Sequence, residues 1–131
     1  MPNRKATAPK NSSAEIAAYD HVLASANKIQ SMIFTIRGVQ VMVDRDLADV
    51  YGVESKRLNE QVKRNIERFP DTFRFQLSYA EKEELVANCD RFVSLKHSTS
   101  NPYVFTEQGV SMLSAVLRSE TAVKVRIQII N

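Results

Sequence analysis

The sequence predicts an α+β fold in a small compact domain, on three observations. Two β-rich runs flank Arg37-Gly38 within MIFTIRGVQVMVD, residues 32–44. Two short helical segments then meet at Gly52, in a helix-turn-helix-like pair. Beyond them, short alternating strands at FRFQL (73–77) and YVF (103–105) are interleaved with capped helices that continue to the C-terminus.

Each element follows from local chemistry. MPNRKATAPKNSS, residues 1–13, is polar, holds two prolines and has no periodicity, which predicts a disordered basic tail. Ser12 or Ser13 caps an amphipathic helix over 14–30, where Ile16, Tyr19, Leu23, Ala26 and Gln30 share a face broadened by Val22 and Ile29. That helix packs on the domain or pairs with a second copy. The domain proper is expected over 31–131. Arg37-Gly38 is a natural hairpin corner, because glycine accepts the positive φ of a tight turn. Asp44 is expected to cap a helix through Tyr51, which Gly52 ends. A longer helix is expected from Ser55 to Arg68, stopped by Phe69-Pro70-Asp71, since proline disfavours helical geometry in the residue before it. In FRFQL, Phe73, Phe75 and Leu77 face inward. Ser78 and Glu81 have the spacing of a capping box, opening a helix to about Asn88. Residues 89–102 read as irregular, with an apolar patch from Phe92 to Leu95. Thr106 caps a helix holding Val110, Leu113, Ala115, Val116 and Leu117. Ser119 ends it or caps a last helix in which Val123, Val125, Ile127, Ile129 and Ile130 recur. The apolar ending at Asn131 leads one to expect something to follow or pack there.

Composition narrows the class. The 131 residues are 44% hydrophobic and 25% charged, as in globular proteins, with no apolar run of membrane-spanning length. No apolar signal core follows the N-terminus, and Cys89 is the single cysteine, so a cytoplasmic setting without disulfides is expected. The pI is near 9.1, yet Arg4, Lys5 and Lys10 account for the whole net charge of +3, leaving residues 11–131 balanced. Bulk charge therefore does not argue for nucleic acid, and only cations grouped on one face would.

The helix pair has such a grouping. Ala48 is the small residue, Gly52 the turn, Val53 and Leu58 the locking positions, and Leu47 and Val62 complete the buried side. At about 100° per residue, Leu58, Val62 and Ser55 share one arc while Lys56, Arg57, Lys63 and Arg64 fall opposite. These cations can meet phosphates, and Asn59 or Gln61 can reach base edges. Glu60 lies among them and repels phosphate. It could accept from a cytosine amino group, but an i,i+4 pair with Lys56 or Arg64 is the favoured reading. The pattern alone leaves a merely solvated face standing beside nucleic-acid contact.

Other constellations fail on spacing. Asp90, Ser94 and His97 crowd one loop with no oxyanion glycine, and Cys89, His97 and His21 lack metal-ligand spacing. Gly38, Gly52 and Gly109 build no phosphate loop, and Met32, Met42 and Met112 read as core. Glu83 and Glu84 read as a solvated pair on a capped helix. Asp44, Asp46 and Asp49 are the nearest approach to a metal cluster, and capping plus a solvated face explains them. No enzyme, cofactor or metal is expected.

IRGVQVMVDRDLADVYGV, LNEQVKRNIERFPDTFRFQL and YVFTEQGVSMLSAVLRSETAVKVRIQII together closely resemble the N-terminal DNA-binding domain of the KilA-N superfamily. The branch is the Orf-six N-terminal type of phage antirepressors and mobile elements, matched from about Met32 to Asn131. The resemblance implies a compact α+β DNA-binding domain of bacterial or phage origin that regulates transcription or lysogeny. Its KRN motif falls on Lys63, Arg64 and Asn65, and its RFP motif on Arg68, Phe69 and Pro70. Phe69, Phe73 and Phe75 read as core, while in FTEQGV Thr106 starts a helix and Gly109 allows close packing. The basic tail and helix of about 30 residues before the match depart from the family, which also tends to continue past the last helix.

The expectation is double-stranded DNA held by Lys56, Arg57, Lys63, Arg64 and Arg68 on phosphates, with Asn59 and Gln61 on bases. Arg37 in the hairpin and the tail cations Arg4, Lys5 and Lys10 reach flanking backbone or minor groove. The alternative is an interaction module that captures a repressor, or a homodimer formed through its terminal helices. No membrane is involved.

Overall fold

The structure, a computed structural model, describes the backbone of residues 27–130 and the side chains of residues 27–118. The expected tail over 1–13, and the expected helix over 14–30 up to residue 26, lie outside the described residues. Residues 27–30 are helical, and Ser31 Oγ donates to the Lys28 carbonyl at 2.6 Å. Residues 33–131 form a separate compact unit, the domain described below.

Four antiparallel strands in the order β1-β2-β4-β3 make one sheet. β1 (Ile33–Ile36) and β2 (Val39–Val43) pair with Ile36 opposite Val39, leaving a two-residue turn. Arg37 and Gly38 both have positive φ, 56° and 77°, as a turn of this length needs to match strand twist. The expected hairpin corner is thus present, with arginine as well as glycine in the left-handed region. β4 (Tyr103–Thr106) joins β2 with Met42 opposite Phe105, and β3 (Arg74–Gln76) lies on its outer side.

Strand alternation sends Val41, Val43 and Val104 to one face. There they pack with Leu77, Leu85, Phe92 and Leu95 from the elements that follow β3. These are α3 (Tyr79–Asn88) and a 3-10 helix over Asp90–His97. The second replaces the first part of the irregular segment expected at 89–102, because burying Phe92 and Leu95 three residues apart suits a three-residue turn, while 98–102 are irregular as expected. The capping box at Ser78 and Glu81 is present in both directions, at 3.2 and 2.7 Å. Met42 and Phe105 take the opposite face, where Phe69 meets Phe105 edge-on at 5.9 Å.

The helix pair is α1 (Asp44–Tyr51) and α2 (Ser55–Arg64). Gly52, at φ 68°, closes α1 by donating its N–H to the Ala48 and Asp49 carbonyls. α2 is shorter than the helix expected to reach Arg68. Asn65, at φ −120°, leaves helical geometry and its side chain donates to the Gln61 carbonyl at 2.9 Å, after which Ile66–Arg68 form a single 3-10 turn. The asparagine of the KRN motif is therefore a helix stop.

The C-terminal α4 runs unbroken over Glu107–Ile130. The expected boundary at Ser119 is absent because no glycine or proline interrupts 110–130. The apolar face expected along the last helix lies outside the described side chains, and Ala115, expected inside, is exposed. Gly109 allows the close packing expected of it: a Cβ there would stand 1.8 Å from the Phe73 carbonyl oxygen. Thr106 caps the helix as expected, accepting the Gly109 N–H at 3.3 Å while its hydroxyl donates to the Thr72 carbonyl at 2.8 Å. Tyr51 and Ser114 join α1 to α4 through their hydroxyls.

Candidate nucleic-acid interface

α2 is seated by apolar contact and presents its charge outward. Leu58 and Val62 are fully buried, with Leu47 and Ala48 of α1 beside them, as the helix-pair pattern required. Val53 is half-buried. On the far side Lys56, Arg57, Glu60, Lys63 and Arg64 are all exposed, and Arg68 is exposed in the following turn. Lys56, Lys63, Arg64 and Arg68 have no acidic partner among the described residues. α2 thus carries four cations and one carboxylate on its solvent side.

The i,i+4 pair expected between Glu60 and Lys56 or Arg64 does not form. Such a pair contributes only about 0.3–0.5 kcal/mol at an exposed site, which the entropy of fixing two long side chains offsets.

The remaining sequence candidates lie off this ridge. Asn59 and Gln61 are half-buried on the two shoulders of the helix. Asn59 Nδ2 donates to Asp44 Oδ2 at 3.1 Å, and its buried Oδ1 has no hydrogen-bond partner. Asn59 therefore joins α2 to the start of α1. Arg37 is held within its own domain by two bonds to the Glu81 carboxylate, at 2.8 and 2.9 Å, and stacks 4.3 Å from the Phe75 ring centroid. That pairing, with the Ser78 N–H, lowers the Glu81 pKa to about 2. The tail cations Arg4, Lys5 and Lys10 lie outside the described residues.

Asp44 and Asp46 of α1 are structural, while Asp49 is exposed. Asp44 is the first helical residue, and Val43, extended at φ −79° and ψ 143°, holds the cap position that Asp44 was expected to fill. Burial raises the Asp44 pKa, opposed by the bonds from Asn59 and from the Arg45 N–H. Asp46, expected on a solvated face, is 4% exposed and grips Arg91 through both oxygens at 3.2 and 2.9 Å. Arg45 donates to Ser94 at 2.8 Å, so two side chains tie α1 to the 3-10 helix. Among the described residues no group of three metal-ligating side chains comes together.

Two partners in this framework gave no sequence signal. Asp44 and Asn59 are fifteen positions apart, and Asp46 and Arg91 forty-five, with no shared periodicity. Arg74 is a third case, its guanidinium 3.6 Å from the Tyr103 ring centroid and its pKa lowered by burial.

Among the described residues no helix is long and apolar enough to cross a membrane. The ORF6N domain family profile matches residues 31–116. Comparison with curated proteins and with solved structures finds no match. The chain belongs to the ORF6N domain family, the Orf-six N-terminal type that its motifs resemble.

Proposed function

We propose that this ORF6N domain binds double-stranded DNA along the outer face of α2, as part of a phage-type regulator of transcription working in the cytoplasm. Lys56, Arg57, Lys63 and Arg64 contact phosphates, with Arg68 extending the track, while Gln61 lies on the shoulder of the helix away from the base edges. One observation carries the reading: Lys56, Lys63 and Arg64 project from one rigidly seated helix without acidic partners among the described residues. Cations held this way already have their backbone order fixed, so counterion release from DNA is the main free-energy change left. Asn59 serves this surface indirectly, by holding α2 to Asp44.

The test is K63A/R64A in fluorescence anisotropy on a random-sequence duplex. Two lost phosphate contacts flatten the slope of log K against log salt by about 1.8 and weaken binding to every sequence alike. An unchanged affinity and slope in a folded double variant refutes the assignment of this helix.

A second reading, a self-associating or repressor-capturing module, rests on α4, whose backbone helix continues from 117 to 130 beyond the family match. Light scattering discriminates: a dimer that persists in high salt and binds no duplex favours it.

A further inference from the structure

We propose that Glu60 is the specificity-determining residue of α2, accepting a hydrogen bond from the exocyclic amino group of a cytosine in the major groove. The inference rests on the duplex-binding reading above and names what that surface selects.

Leu58 and Val62, both fully buried, fix the inward direction of α2. At about 100° per residue, Glu60 stands about 180° from their midpoint, at the apex of the exposed ridge. Lys56 and Lys63 fall about 40–60° to one side and Arg64 and Arg57 about as far to the other. Asn59 and Gln61 lie about 100° from the apex, down on the shoulders. A helix entering the major groove puts its apex on the base edges and its flanks against the two phosphate walls. In that orientation the cations meet phosphates, and Glu60 meets bases.

Glu60 is exposed and has no ion-pair partner among the described residues, although cations lie one turn away in both directions. A carboxylate at the apex of a phosphate-binding ridge opposes non-specific binding, so its contribution comes from discrimination. An ionised carboxylate only accepts hydrogen bonds. In the major groove cytosine offers the N4 amino donor alone, whereas guanine offers two acceptors and adenine sets an acceptor beside its donor. Glu60 therefore favours cytosine and rejects guanine most strongly.

The experiment is selection from a randomised duplex library by the wild-type chain and by E60Q, with anisotropy on the selected and on random duplexes. The wild-type site contains a cytosine whose replacement lowers affinity about tenfold. Glutamine pairs with adenine through both its donor and its acceptor, so E60Q moves that position from cytosine to adenine. E60Q also binds random duplex more tightly than wild type, having lost a phosphate-repelling charge. A wild-type site that E60Q selects unchanged overturns the assignment of Glu60 and leaves DNA binding intact. Absence of salt-dependent duplex binding by the wild type overturns the functional reading itself, and this inference with it.

Discussion

Replacing Gly109 by alanine sets two effects of opposite sign against each other. Helix propensity alone favours alanine by at most about 1 kcal/mol, the value for a helix interior, since Gly109 stands in the first turn of α4. The structure forbids the gain, because the new Cβ would lie 1.8 Å from the Phe73 carbonyl oxygen and 2.8 Å from its carbon, against an ordinary contact of at least 3.4 Å. The neighbour is backbone and cannot rotate aside, so α4 and the 72–74 segment must separate by more than an ångström. Separation stretches the bond from the Thr106 N–H to the Phe73 carbonyl, now 2.9 Å, and that from Thr106 Oγ1 to the Thr72 carbonyl, now 2.8 Å. Two weakened hydrogen bonds at about 1 kcal/mol each and an overpacking cost of about 1–3 kcal/mol outweigh the propensity term. The expected net is a destabilisation of about 2–4 kcal/mol, with a fall in Tm of at least about 10 °C. Urea denaturation followed by circular dichroism measures it. S111A, at an exposed position on the same helix, is the control and gains a few tenths of a kcal/mol (~0.3) from propensity. A G109A protein no less stable than wild type would show that the Phe73 carbonyl does not block a Cβ at this position.

Other outcomes follow from the polar contacts. The Glu81 carboxyl, held at about 2 against an ordinary 4.5, contributes stability that is complete above 4.5 and lost as pH falls toward 2. E81Q therefore flattens the acid limb of a urea-midpoint profile between about pH 2 and 4.5, and an unaltered limb counts against the Arg37 pair. Asp44 acts oppositely: its raised pKa favours the protonated fold, so its contribution is greatest at low pH and is lost as pH rises through the carboxylate range. In D44N that decline disappears from the same profile. D46N destabilises by about 1–2 kcal/mol in urea, the low end for a charged pair because Arg91 can turn to water while the Asp46 site is closed. N59A loses about 1 kcal/mol of stability and leaves the selected DNA site unchanged, since its amide is engaged by Asp44. A changed site would return Asn59 to base reading.

Features fixed within a few residues were legible in the sequence. The Arg37-Gly38 corner, the Ser78–Glu81 box, the Gly52 stop and the Thr106 start each satisfy a backbone group one to four positions away, so local spacing carries them. The buried side of the helix pair was equally visible, because Leu58 and Val62 obey helical periodicity. Misreadings occurred where distant partners decide. Asp44 and Asp46 look like ordinary first-turn acids until Asn59 and Arg91 are brought to them. Residues 90–97 look irregular until the sheet supplies a face for Phe92 and Leu95. At the candidate interface the cations and the place of Glu60 among them were readable from helical periodicity, while the unpaired state of Glu60 needed the structure. The extent of α2 was overestimated because Asn65 is tolerated within a helix by propensity alone, and only its bond to the Gln61 carbonyl makes it a stop.

Whether the outer face of α2 holds duplex DNA is decided by anisotropy of the wild-type chain on a labelled random-sequence duplex across a series of salt concentrations. Five contacts, from the four α2 cations and Arg68, predict a straight plot of log K against log salt with a slope of about −4.5. Absence of binding at the lowest salt, or binding with a slope near zero, would contradict the account.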